Sequence, residues 1–184
     1  MDSRSFVRMS LLAAMIAVLG LLPTFNLPLA GGVPITAQTL GVMLAGIVLG
    51  ARQGALAVLL LIFVVALGAP LLAGGRGGLG VFFAPSVGFL LGWVPGAFVT
   101  GVVMQRLTKA PVFPAALAAA IIGGILVVYA CGIVGLMIVA HMGALQAMLA
   151  TAVFLPGDLV KAFATAFLAK AAEQAYPAAL GNRT

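Results

Sequence analysis

The sequence predicts an all-α integral membrane protein. The expected architecture is a bundle of six transmembrane helices, with both termini cytoplasmic and a substrate site near the outer face. Composition is the first reason. Of 184 residues, 64% are hydrophobic and only 7% are charged, against about 45–50% and about 25% in soluble domains. The mean hydropathy of +1.30 agrees. Patterning is the second. The apolar residues form continuous runs rather than alternating with polar ones, which selects helices over a barrel in a medium where the backbone must satisfy its own hydrogen bonds. The same figures exclude a water-soluble globule, a disordered chain and a coiled coil, and the 24 glycines have no three-residue period to suggest collagen. The whole chain, 1–184, reads as one transmembrane domain.

Each span can be justified in turn against the roughly 20 apolar residues that cross a 30 Å hydrocarbon core. The first run covers 6–22 and stops before Pro23; it lacks a small-residue cleavage site and reads as a retained span. The second, 37–50, is short, and Arg52 and Gln53 then interrupt the apolar run. The third covers 54–68 and ends at Ala69-Pro70, ahead of the glycine-rich stretch Ala73-Gly74-Gly75-Arg76-Gly77-Gly78. The fourth, 81–104, is closed by Arg106 and Lys109. The fifth, 115–140, is the most apolar and ends at His141. Residues 142–155 read as a mixed connection, and the sixth span covers 156–172.

Charge sets the orientation. With a cytoplasmic N-terminus, Arg4, Arg8, Arg52, Arg106, Lys109, Lys170 and Arg183 all fall inside, seven of the nine basic residues. Positive charge concentrates on that side of membrane proteins. Scattered singly, these residues form no basic stripe, so the formal charge of +6 reports topology rather than a nucleic-acid partner. Asp2 and Glu173 join them near the chain ends.

Three charges remain unexplained: Arg76 in an outer loop, and Asp158 and Lys161 in span six. A charge in a span costs roughly 2.5–3.5 kcal/mol at the bilayer centre. Pro156-Gly157-Asp158 reads as a helix start, with proline in the first turn and the carboxylate at the positive end of the helix dipole. Lys161, three residues on, shares a face with Asp158. These residues fit either a plain intrahelical ion pair or a polar site open to a solute. Arg76, between glycine pairs, fits either a solvated loop charge or part of a lid over that site. Thr24, Asn26, Thr36, Gln38 and Thr39 form a second outer polar patch, in which Thr36 is placed to cap span two.

Several chemistries lack their residues. No Walker loop ends in Gly-Lys-Ser/Thr, and one His, one Cys and three acidic residues cannot build a usual metal site. Ser86 lies in Pro-Ser-Val-Gly rather than in a Gly-x-Ser-x-Gly elbow, which argues against a Ser86–His141 hydrolase. Cys131 has no disulfide partner in the chain. His141 is expected at the membrane interface, and Trp93 either in packing or in the interface belt. Ala13 and Ala17 give span one a small-xxx-small face, suited to close packing inside the bundle or to docking on another subunit.

Three stretches together carry a family resemblance: Gly31-Gly32-Val33-Pro34-Ile35-Thr36-Ala37-Gln38-Thr39-Leu40-Gly41-Val42, Gly68-Ala69-Pro70-Leu71-Leu72-Ala73-Gly74-Gly75-Arg76-Gly77-Gly78-Leu79-Gly80, and Leu155-Pro156-Gly157-Asp158-Leu159-Val160-Lys161. In order and content they resemble the BioY family, the biotin-specific S-components of energy-coupling-factor (ECF) transporters. Pro85-Ser86-Val87-Gly88 departs from the Pro-Thr-Gly-Gly more usual there. The resemblance implies capture of biotin from outside, and assembly with a transmembrane coupling subunit and two ATP-binding subunits. It implies no cofactor and no enzymatic activity of the chain's own. It also favours a docking role for Ala13 and Ala17. Biotin, with a ureido ring, an apolar thioether body and a carboxylate, suits an apolar pocket with few polar groups. On this reading Asp158 accepts a ureido N–H. Lys161 donates to the ureido oxygen or the carboxylate, and Arg76 closes on the carboxylate. Gln38, Thr36 and Tyr129 are further candidates. An S-component for thiamine or riboflavin, a self-sufficient channel, and a homo-oligomer transporting alone stay open as alternatives.

Overall fold

A computed structural model describes residues 3–23, 25–26 and 33–175. Of the predicted outer polar patch, Thr24 and Gly31-Gly32 lie outside the described residues, as do Asp2 and Arg183, and Asn26 is described by its backbone alone. The fold is helical: α1 (Ser3–Gly20), α2 (Gln38–Leu49), α3 (Ala51–Ala66), α4 (Val87–Arg106), α5 (Val112–Ala119), α6 (Val128–Val139), α7 (Ala144–Ala152) and α8 (Leu155–Ala175). A two-residue antiparallel ribbon, β1 (Phe25–Asn26) with β2 (Pro34–Ile35), pairs Phe25 with Ile35 and Asn26 with Pro34.

The element boundaries differ from the sequence expectation in four places, each with a local cause. Arg52 and Gln53 do not interrupt the chain; α3 begins at Ala51. The turn is made by Gly50 alone, whose φ of 78° a side chain would strain. Span four starts later than expected, because Leu79–Phe83 coil into a separate 3-10 turn before α4. The fifth span runs from α5 through a π-helical stretch, Ala120–Val127, into α6, 28 apolar residues in all. The connection after His141 contains a helix of its own, α7, bent 51° from α8. His141 itself takes φ 51° and ends α6, with Met142 N–H donating back to Leu136 O, a glycine's usual role at a helix end.

Among the described helices, α1, α4 and the joined α5–α6 are long and apolar enough to cross a membrane, and α7–α8 counted as one bent span makes a fourth. At 12 residues α2 rises only about 18 Å. Its first residue, Gln38, is fully buried, bonded to α1 and to the loop after α3.

Glycines set the close helix contacts. On α4, Gly88, Gly92 and Gly96 recur every fourth residue. A Cβ on Gly88 would lie 2.7 Å from Gly135 Cα, one on Gly92 2.7 Å from Cys131 Cβ, and one on Gly96 2.7 Å from Val128 Cγ2. Without side chains, α4 lies against α6 at backbone distance. This packing buries Trp93 at 5% exposure, which places it in the core and not in an interface belt. The small face of α1 is also used internally. Ala13 is buried at 6% exposure and Ala17 packs half-buried against the same core, so their small size brings α1 close to its own bundle. The outward face of α1 instead carries Leu11, Ala14 and Val18.

Candidate functional site

The end of the bundle where α2, α4 and α8 begin holds the polar residues that topology left over. In α8 the predicted helix start is found, at Leu155, with Pro156 in the first turn and Asp158 N–H bonded to Phe154 O at 2.9 Å. Asp158 is thereby held beside the unpaired N–H groups of the helix start. It is also 5% exposed, so its charge needs partners.

Those partners come from three helices. Lys161 Nζ donates to Asp158 Oδ1 at 2.7 Å from the same face of α8. Tyr129 OH, on α6, donates to Oδ2 at 2.7 Å, and Thr39 Oγ1, on α2, donates to Oδ1 at 3.2 Å. Lys161 Nζ also reaches Thr39 Oγ1 at 3.2 Å. The intrahelical ion pair expected from spacing is therefore present, but inside a network that joins α2, α6 and α8. Two ionised groups are kept out of water only where such hydrogen bonds surround them.

Arg76 approaches the same cavity from the loop after α3. Gly74 (φ 75°), Gly75 (φ 70°) and Gly78 (φ 75°) adopt left-handed backbone that side chains disfavour. They fold the loop into a tight hairpin in which Leu72 and Arg76 exchange backbone bonds at 3.0 and 3.2 Å. The half-buried guanidinium donates from Nε to Ala73 O at 3.1 Å and from Nη1 to Ser86 Oγ at 3.1 Å. Burial lowers its pKa from the ordinary value of 12.5; arginine nonetheless remains a cation at neutral pH.

Gln38 and Thr36 line the cavity as well, with their polar atoms already engaged. Thr36 Oγ1 accepts Gln38 N–H at 3.1 Å, but the N-cap of α2 is Ala37 and not Thr36, because the chain already turns helical at Ala37. The fully buried Gln38 amide donates to Ile16 O and Leu71 O at 3.2 and 3.1 Å and accepts Ala73 N–H at 3.0 Å.

Aromatic rings complete the cavity wall. Phe89 meets Tyr129 edge-on at 6.5 Å and Phe154 at 5.8 Å. The buried Trp93 also lines it, and its indole N–H has no partner among the described residues. The sequence had given no reason to choose Phe89, Phe154 or Ser86, and it had placed Thr39 only in the general polar patch. For Thr39 a signal existed: it lies at the start of span two beside Gln38, among the other polar residues of that patch. For the aromatics none did, since phenylalanines occur throughout the spans. The free space between these side chains is about 60 Å³, below the roughly 300–1,000 Å³ usual for small-molecule pockets. Among the described residues no group of three or more His, Cys, Asp or Glu gathers to hold a metal.

A charged, hydrogen-bonded cluster beside aromatic rings has the make-up of a small-molecule pocket, and known proteins resemble the chain throughout. The family model described as "BioY family" matches residues 1–178. The biotin transporter BioY of Rhodobacter capsulatus is 50% identical over 186 residues, covering 96% of this chain and 97% of that protein. The protein of the same name from Rhizobium etli is 48% identical over 182 residues, at 96% and 97% coverage. Among solved structures, the S-component for biotin from an ECF-type ABC transporter superposes with a TM-score of 0.86 at 27% identity, over 95% of each chain. With fold, length and sequence all matched along almost the entire molecule, the chain belongs to the BioY family.

Proposed function

We propose that this protein is the biotin-binding membrane subunit of an ECF-type vitamin uptake transporter. Two relatives about half identical over nearly their full length bear the name biotin transporter, and the matched structure is the S-component for biotin. The observation on this chain that carries the reading is the Asp158–Lys161–Tyr129–Thr39 cluster at the end of an apolar, aromatic-walled cavity. A ureido group offers two N–H donors and one C=O acceptor, which a carboxylate and an ammonium complement with charge-assisted bonds. Asp158 accepts from the ureido nitrogens, Lys161 donates to its oxygen, and Arg76 meets the carboxylate at the other end. Thr36 and Gln38 frame the pocket. The aromatic rings support biotin over thiamine or riboflavin, because they engage one another edge-to-face instead of leaving two parallel faces for a flat ring.

The chain acts as a multi-pass protein of the cell membrane and as a single domain. All six predicted spans cross, with α2 and α3 crossing although short, and both termini are cytoplasmic. The ends of elements support this orientation: Arg4, Arg8, Arg52, Arg106, Lys109 and Lys170 all belong to the end of the bundle opposite the site. The chain itself is not an enzyme; hydrolysis of ATP falls to two partner subunits, reached through a coupling subunit. Because Ala13 faces inward, the α1 surface offered to that partner is Leu11, Ala14 and Val18. The test is equilibrium binding of biotin, thiamine and riboflavin to purified protein. Saturable binding of biotin alone supports the reading, and preference for another vitamin rejects it.

A further inference from the structure

We infer that Gln38 is a positioning residue, which holds the glycine hairpin so that Arg76 faces the cavity, and that it makes no essential bond to the ligand itself. This inference rests on the Arg76–carboxylate reading above. The amide of Gln38 is fully buried, and both of its N–H donors are spent on main-chain carbonyls, Ile16 O in α1 and Leu71 O in the hairpin. Its oxygen accepts Ala73 N–H at 3.0 Å. The carbonyl of the same residue, Ala73, accepts Arg76 Nε–H at 3.1 Å. One residue of main chain thus separates Gln38 from the guanidinium, and the path consists of directional bonds throughout. A glutamine amide has two donors and two acceptor sites, so a single lone pair is left for anything in the cavity.

The surroundings are shaped for this clamp. Gly20, the last residue of α1, passes so close that a Cβ there would collide with Leu71 O and stand 2.8 Å from Gln38 Nε2. The hairpin is otherwise rich in left-handed glycines, the residues with most freedom to lose on ordering. Backbone bonds of Leu72, Arg76 and Gly78 hold part of the loop, and Gln38 ties it at two further points, Leu71 and Ala73. Arg76 is then presented already aimed, which spares the ligand the cost of ordering the loop.

The experiment compares biotin with biotin amide, in which a neutral carboxamide replaces the carboxylate, on purified wild type, Q38M, R76M and the double variant. It adds hydrogen exchange of the backbone amides in residues 72–80. Methionine keeps the length and volume of glutamine without its hydrogen bonds. The expected result is that Q38M speeds exchange across 72–80, weakens biotin about tenfold, and leaves biotin amide within about threefold. The double variant should bind biotin no worse than R76M alone, because the two residues act as one. Equal losses for both ligands in Q38M, losses that multiply in the double variant, or unchanged exchange in 72–80 would each overturn the inference. If R76M itself discriminates between the ligands as wild type does, the carboxylate reading fails, and the exchange rates of Q38M still decide whether the clamp exists. Should Q38M fail to fold, G20A loads the same clamp from α1 without touching the cavity and should give the same exchange and ligand pattern.

Discussion

Tyr129 and Asp158, 29 residues apart in sequence, meet at 2.7 Å across α6 and α8. The phenol donates to the one carboxylate oxygen that Lys161 and Thr39 leave free. A carboxylate with donors from three helices is held in one orientation, as the proposed acceptor of a ligand N–H requires. Tyr129→Phe keeps the ring contact with Phe89 and deletes this bond alone. A hydrogen bond to a charged group contributes about 1.5–3 kcal/mol, so biotin affinity measured by calorimetry should fall by roughly tenfold or more. An unchanged affinity would remove Tyr129 from the site.

The Asp158–Lys161 pair separates stability from binding. Breaking a buried pair by changing one member strands the other and costs about 3–5 kcal/mol; here the side chains are 7% and 16% exposed. Lys161→Met alone should therefore lower the melting temperature and the affinity together. The double change Asp158→Asn with Lys161→Met should recover much of the stability while binding stays lost. Recovery of binding in the double variant would mean that the pair is structural only.

Arg76 bonds two acceptors with two different nitrogens, Ala73 O and Ser86 Oγ. A lysine carries the charge but not this fork. Arg76→Lys is expected to bind biotin about tenfold more weakly, close to Arg76→Met. Wild-type affinity in the lysine variant would show that charge alone is needed.

The α4–α6 contact predicts a stability effect remote from the site. A methyl on Gly135 would lie 2.7 Å from Gly88 N and press on the Gly88 Cα. Overpacking of this kind costs about 1–3 kcal/mol, so Gly135→Ala should lower the thermal midpoint in detergent. A midpoint equal to wild type would show that the helices part at no cost.

Orientation is open to labelling. In a Cys131→Ala background, single cysteines at Arg52 and Lys109 should react with a membrane-impermeant reagent only after the cell is permeabilised. A cysteine at Gly143 should react in intact cells. The reverse pattern would invert the proposed topology, and labelling of all three from outside would contradict the span count.

What was legible in the sequence follows from how few charges the chain has. Burying Asp158, Lys161 or Arg76 needs a compensating structure, so each marks itself as soon as topology accounts for the others. Proline in the first turn of α8 placed Asp158 correctly before any coordinates. The function of small residues was less readable. Ala13 and Ala17 have the same spacing whether they pack inward or outward, so spacing alone does not say how much of the pair the bundle covers. The role of Gln38 was hidden for a similar reason. Its three partners are main-chain atoms of Ile16, Leu71 and Ala73, and main-chain groups leave no trace in residue identity. Aromatic walls such as Phe89 and Phe154 go unseen because apolar residues are the background of every span.

The most direct measurement is equilibrium binding of biotin to purified protein stripped of ligand, for wild type and Asp158→Asn side by side. Wild type should bind biotin tightly, in the nanomolar range at about −12 kcal/mol. Asp158→Asn, folded by its melting curve, should bind well over tenfold more weakly, a loss of at least about 1.4 kcal/mol. A wild type that fails to bind biotin, or a variant within about threefold of it, would contradict the assignment of this cluster as the biotin site.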